Sequence, residues 1–448
     1  MDTVAILGGG LSGAIVAWHL ARSSAVRIVV VEPRAELGRG LAYGTTDPDH
    51  KLNVPEDRMT LDTADLLHFR RWLSSPEAPF LPPGSATLRG EVFAPRGVFG
   101  QYVAQTVQPW IASGRITHRR TRALAARREG AGWLVDLEDG GTLSAGRIVL
   151  AVAHPAPRVP AALEPLRGDE GLLLDGVDTI APDERVLIVG SGLTGADVVA
   201  TLARRGQRGP VWMLSRHGRR SQPHGPRQPE TAADYATTPE HTALGLLRRV
   251  RRDVARDAQA GLTWHAVFDR LRAQGPQIWA ALPHPERARL LRHLRGLWDI
   301  HRFRIAPQTE AVLDRQIAAK RVTPLRGRIT GARRGPDGIV VEIGAHHLTV
   351  DRIVLATGPA HDRALVENPL LAALAAGGAV TADPHGLGIR TTAECRAIAA
   401  DGRAQDDLLV AGPLARGAVG ELMGVPEITA WAERIARALA LRGATRAA

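Results

Sequence analysis

Two stretches of the sequence space their glycines for holding a phosphate. One is Gly8-Gly9-Gly10-Leu11-Ser12-Gly13, the other Gly190-Ser191-Gly192-Leu193-Thr194-Gly195. The first glycine of each (Gly8, Gly190) permits a tight turn, and the second (Gly10, Gly192) lets the backbone approach a pyrophosphate. The third (Gly13, Gly195) lets a helix lie close on the preceding strand. Glu32 follows the first motif at the distance where a carboxylate can accept both hydroxyl hydrogens of a ribose. The second motif has Ser215-Arg216 at the matching place. A carboxylate there would repel a 2′-phosphate, whereas a hydroxyl and a guanidinium would bind one. The first site therefore suits a dinucleotide with a free ribose, FAD or NAD, and the second suits NADPH.

The elements needed to position these residues are readable around them. Val4–Leu7 and Arg185–Val189 are short apolar runs of the kind expected for buried parallel strands. Each leads through its glycines into a helical pattern, Ala14–Arg22 and Ala196–Arg205. Arg27–Val31 and Val211–Leu214 read as the next strand of each unit. Three more apolar runs end in small residues: Arg147–His154 (RIVLAVAH), Arg352–Gly358 (RIVLATG) and Asp407–Pro413 (DLLVAGP). They add Gly358, Gly412 and Pro413 to the candidate cofactor-binding residues. The expected fold is α/β with two dinucleotide-binding, Rossmann-like domains. The FAD domain is split, 1–165 and 325–448, around an NADPH domain inserted at 166–324. Leucines at helical spacing predict a helical segment within that insert, over about 240–320.

With 448 residues, 44% hydrophobic and 23% charged, the chain can bury a sizeable core in two to four domains. The lone Cys395 excludes a disulfide framework, a CxxC redox pair and a cysteine-built metal site. His346-His347 lacks a third ligand at metal spacing and reads as a hairpin turn. The net charge of +11 is almost all arginine, since Lys51 and Lys320 are the only lysines. Much of the excess falls between Glu240 and Lys320, where 15 basic residues face 8 acidic ones. That excess suits a solvated helical face or a funnel for an anionic cofactor or substrate. No recognition helix or aromatic-interleaved basic strand points to nucleic acid. The uncharged run Thr3–Ala21 is broken by glycines and preceded by Asp2, so it fits neither a membrane span nor a signal peptide. The expectation is a soluble, cytoplasmic protein with no membrane partner, homo-oligomerisation being left open.

Other segments carry a family likeness: Gly38–Gly44 (GRGLAYG), Lys51–Pro55 (KLNVP), Phe93–Tyr102 (FAPRGVFGQY), Ser215–Gly218 (SRHG), Trp298–Pro307 (WDIHRFRIAP) and Gly412–Glu427. Through them the chain resembles, nearly end to end, the bacterial FAD/NAD(P)-binding family that includes FAD-dependent urate hydroxylase and an aspartate N-monooxygenase. It departs from the pattern at Val152-Ala153, where Thr-Gly is expected. The resemblance implies FAD and NADPH as cofactors, and O2 and a small polar molecule as substrates. Oxygen would be transferred through a flavin C4a-hydroperoxide. Urate hydroxylation is the first expectation; an amino-acid (aspartate-type) N-hydroxylase, or an NAD(P)H-dependent flavin reductase or oxidase, are the alternatives.

Four residues are candidates for the chemistry. By the resemblance, Asn53 is a donor close to the isoalloxazine; otherwise it is a turn asparagine before Pro55. Arg96 holds a substrate or flavin anion, or caps the following turn. Arg302 and Arg304 have the forked donors that a urate-like or carboxylate anion requires. In a straight helix, however, the residues of Trp298–Arg304 would point to different faces, and Pro307 would end it. Asp299 and Arg302 could then simply pair at i, i+3. His301 reads as a packed core residue, and Gly218–Gln228 as a mobile loop beside the NADPH site.

Overall fold

In the computed structural model, which describes residues 3–152 and 154–445, the two motif strands lie at the centres of two separate parallel sheets. Ala153, half of the departing turn, and residues 446–448 lie outside the described residues. The first sheet runs in the order Arg396–Ile398, Ala404–Val410, Arg147–Leu150, Thr3–Leu7, Arg27–Val31, Ile116–Arg119. All pairings are parallel except that of Arg396–Ile398. The second runs Val322–Arg326, Val211–Ser215, Val186–Val189, Arg352–Leu355, Leu172–Leu173, all parallel. Strands covered on both faces must be apolar throughout, which is why both motifs follow uninterrupted aliphatic runs.

The two sheets repeat one plan. In each, the motif strand sits between the next strand in sequence and a strand that follows a three-stranded antiparallel meander. The first meander is Ala123–Glu129, Gly132–Leu137, Thr142–Ala145; the second is Ile329–Gly335, Gly338–Ile343, His346–Val350. His346 and His347 therefore open a strand, paired with Ile343 and Glu342. Val322–Arg326 and Arg352–Leu355 both pair into the second sheet, so the boundary expected at 324/325 falls inside it. Only Arg396–Ile398 and Ala404–Val410 return to the first sheet. Arg352–Gly358 reads almost like Arg147–His154, and only the pairing tells which sheet each joins.

Between Val211–Ser215 and Val322–Arg326 the chain inserts six helices: Ala243–Gln259, Trp264–Ala273, Gly275–Ala281, His284–His293, Arg295–Arg302 and Pro307–Ala318. The first five share a small core of their own around Tyr235, Val267 and Leu282, whereas Leu313 of the sixth packs in the core of the second sheet. The C-terminal helix Val425–Thr445 packs on the first-motif helix Leu11–Ser23 and presents Glu427 to the insert. Among the described residues no helix is long and apolar enough to cross a membrane.

Candidate active site

The glycines divide their work as the spacing predicts. Gly8 (φ +106°) and Gly190 (φ +123°) turn in the left-handed region. A Cβ on either would lie 2.3 Å from the Ala151 carbonyl oxygen or 2.2 Å from that of Ala356. A Cβ on Gly13 would meet the Gly8 oxygen at 2.0 Å, and one on Gly195 the Gly190 oxygen at 2.4 Å, so no larger residue lets the helix sit so close. Gly10 is different: its Cβ would meet only the Gly40 Cα, at 3.5 Å, and that of Gly192 nothing within 4 Å. Those two positions face open space. The helices behind them, Leu11–Ser23 and Leu193–Arg204, start without a side-chain cap. Their first N–H groups are therefore available to a pyrophosphate. Gly412 (φ +76°) and Pro413 stand beside the first motif, where a Cβ on Gly412 would come 2.4 Å from Ser12 Oγ. Gly358 (φ +78°) follows the strand beside the second.

Glu32 is 5% exposed. Its Oε2 accepts from the Gly9 N–H at 2.9 Å, and its Oε1 from the Arg34 N–H at 3.1 Å and guanidinium at 3.0 Å. These bonds fix the carboxylate at its strand end and leave lone pairs for a ribose. At the second site Ser215 Oγ donates to the Arg219 carbonyl at 3.3 Å. Arg216 is exposed and has no hydrogen-bond or ion-pair partner among the described residues. Arg326 stands in register with Ser215 on the neighbouring strand, which brings a second arginine to this strand end. Sequence reasoning missed Arg326 because strand pairing, not spacing, brings it there. The residues present fit FAD at the first site and NADPH at the second.

Three of the four chemistry candidates meet in one narrow cavity of about 10 Å³, room for a single water. Asn53, Val54 and Arg58 line it from one side, His224 from the loop after Val211–Ser215, and Phe268, Asp269 and Arg272 from Trp264–Ala273. Arg302 and Arg304 close it. The helix makes this possible by stopping. Phe303 (φ −94°, ψ 75°) leaves the helical region, so Arg304 is freed to turn toward the same space as Arg302. Pro307 opens the next helix, where its missing N–H costs nothing. Arg302, whose side chain is 4% exposed, lies 3.1 Å from Glu421 and 3.6 Å from Glu427. Arg272 grips Glu427 with two bonds of 2.6 and 3.0 Å, and Arg304 pairs with Asp269 at 2.9 Å. Arg58 is exposed and unpartnered among the described residues, and the buried Arg302 Nε has no acceptor. Four guanidiniums thus face three carboxylates, leaving a site with one positive charge in excess.

His224 is the functional candidate to which sequence reasoning assigned no role. Burial holds its imidazole down at about 4, so it is neutral near pH 7. A carbonyl can only accept, so the 2.9 Å contact to the Asn53 carbonyl fixes the proton on Nε2. Nδ1 then carries a lone pair.

Other expectations change. Arg96 is absent from the cavity: its Nη2 lies 2.7 Å from Asp197 on the second-motif helix, and its Nε donates to the Lys51 carbonyl at 3.0 Å. It ties the KLNVP loop to the second domain. Asp299 pairs with Arg295 at 3.5 Å, not with Arg302. His301 is indeed packed, stacked 4.6 Å from Phe268 with Nδ1 against the Leu297 carbonyl. The Gly218–Gln228 loop is stitched to the insert, Gln222 N–H donating to the Ile300 carbonyl and Ile305 N–H to that of Gln222. Burial pushes the Cys395 thiol up to about 12. Among the described residues no group of side chains could hold a metal ion.

Residues 5–155, about a third of the chain, match the family model described as FAD-NAD(P)-binding. No curated protein matches the sequence. The fold is similar to that of ornithine hydroxylase from Pseudomonas aeruginosa, at 15% identity and a TM-score of 0.65, covering 98% of each chain. It is similar too to the ornithine N-hydroxylase of Kutzneria sp. 744, at 18% identity and a TM-score of 0.62, over 100% of this chain and 99% of that one. A bacillithiol disulfide reductase from Bacillus cereus shares the fold at 13% identity and a TM-score of 0.55, over 98% and 99%. The chain therefore has the mixed α/β fold of flavin monooxygenases and reductases, with an FAD-NAD(P)-binding region at its N-terminal end.

Proposed function

We propose that the chain is an FAD-dependent, NADPH-consuming monooxygenase that hydroxylates nitrogen on a small amino acid. The observation that carries this reading is the arginine-lined cavity, with its single excess positive charge and the unpartnered donors of Arg58 and Arg302. A monocarboxylate neutralises that excess. The fold likeness to two ornithine N-hydroxylases, one described with reduced FAD, NADP+ and L-ornithine, supports the same choice. Urate, the first expectation from the sequence, finds no such support. A disulfide-reductase reading lacks its chemistry, because the one cysteine is buried and its thiol stays protonated.

FAD held at the first site and reduced by NADPH would supply the two electrons that activate O2, one of whose oxygen atoms goes to the substrate and the other to water. The chain's own residues do the rest. Arg58 and Arg302 bind and orient the substrate carboxylate. Asp269 and the Nδ1 lone pair of His224 offer acceptors for the substrate amine, holding its N–H bonds so that the nitrogen lone pair stays free. Phe268 and Val54 keep the wall apolar and limit water. The test follows NADPH and O2 consumption by the FAD-loaded protein with L-ornithine, L-aspartate, other amino acids and urate, while assaying hydroxylamine and peroxide. Hydroxylamine formed with an amino acid supports the reading. Hydroxylation of urate alone, or peroxide alone across the panel, overturns it.

A further inference from the structure

A second cavity lies among the helices of the insert, walled by Leu246, Leu271, Leu290, Leu294, Trp279 and Trp298. Its volume is about 150 Å³, a size at which an apolar cavity takes up a benzene-sized molecule. One end is polar. Arg416 lines it and is only 7% exposed, yet its guanidinium has no hydrogen bond or ion pair among the described residues, and its Nε is buried without an acceptor.

The carboxylates whose field reaches Arg416 are engaged elsewhere. Glu421 accepts from Arg302, Asp299 is paired with Arg295, and Asp383 accepts the N–H groups of His385 and Leu387. A guanidinium withdrawn from water with no partner is costly, and an anion supplied from outside removes that cost. Arg295 and Glu421 are the other charged residues of the wall, one paired with Asp299 and the other with Arg302, and the rest is apolar. Neither the small polar substrate proposed above nor an uncharged hydrocarbon satisfies both ends.

We infer that this cavity binds an apolar monocarboxylate, its hydrocarbon body among the leucines and its carboxylate on Arg416. The inference does not depend on the reaction proposed above, although Phe268 borders both cavities.

Calorimetric titration of the FAD-loaded protein with hexanoate, and separately with 1-hexanol, tests it. Hexanoate binds once per chain, with 1-hexanol weaker by about tenfold or more, the loss expected when a charged hydrogen bond is not made. Arg416→Gln lowers hexanoate affinity to the level of the alcohol and leaves the alcohol unchanged, while Leu294→Trp, which fills the cavity, removes both. No binding of hexanoate, or equal affinity for the two probes in the unaltered protein, overturns the inference. So does hexanoate binding that survives Arg416→Gln and is lost in Arg58→Ala, which places the anion in the first cavity. If Arg416→Gln does not fold, the comparison of acid and alcohol in the unaltered protein decides alone.

Discussion

Arg96 and Arg302 both neutralise buried carboxylates, but they answer to different tests. Asp197 is 6% exposed, and burial pushes its carboxyl up despite the guanidinium beside it. Removing Arg96 leaves that group alone in the interior, so Arg96→Ala should cost about 3–5 kcal/mol of stability. Adding Asp197→Leu should restore most of it, read by denaturant unfolding. Unchanged stability with lost substrate binding would return Arg96 to the substrate. Arg58 is the opposite case, exposed and unpaired, so Arg58→Ala should spare the fold. It should raise the substrate KM by about tenfold or more, with flavin reduction by NADPH unchanged. Arg216→Ala should raise the KM for NADPH by about tenfold while leaving that for NADH alone; equal losses would remove the 2′-phosphate assignment. Arg302 and Arg304 could be named from the sequence because of their type. Their convergence could not, since it depends on where one helix stops. Arg58 and Glu421 escaped notice, and His224 was assigned no role, because each comes from a separate stretch and only tertiary packing assembles them.

At the scale of elements, the strand–turn–helix units were legible because every part of the signal is local: an aliphatic run, a glycine turn, an amphipathic continuation. The structure adds why two motif glycines differ. An alanine at position 10 finds room in the protein without ligand, whereas one at position 13 collides with the Gly8 carbonyl at 2.0 Å. Gly10→Ala should therefore keep the apoprotein's melting temperature and lose FAD. Gly13→Ala should lose both stability and flavin, as thermal melts with and without added FAD will show. Equal behaviour of the two variants would contradict the division of labour. The C-terminal segment Gly412–Glu427 stood out as a motif without an evident reason. Its glycines are now explained by neighbours: a Cβ on Gly417 would strike Asp383 at 2.2 Å, one on Gly420 Trp279 at 2.8 Å, and one on Gly424 Glu427 at 2.3 Å.

Across the whole molecule, the duplication of sheet plus meander explains why the boundary at 324/325 was misplaced: two nearly identical strands cannot be sorted by local sequence. The same duplication brings His154 and His361, each just beyond the last strand of its own half, to 2.8 Å from one another. Burial holds His154 at about 4 and His361 at about 3, as it holds His224 at about 4. All three are depressed from 6.5. The unfolded chain takes up these protons first, so their stabilising contribution is intact above pH 6.5 and is lost as the pH falls toward 4. From pH 7 to pH 5 the loss should be roughly 4–6 kcal/mol for the three together, added to the self-repulsion of a chain already at +11. Urea unfolding at the two values will show it, and equal stability at both would contradict it. The most direct measurement of the two cofactor sites is anaerobic: FAD-loaded protein is mixed with NADPH or NADH and the flavin absorbance followed. Complete bleaching by NADPH, much faster than by NADH, is the expected result. A bound flavin that neither nucleotide reduces would contradict the assignment of the two sites.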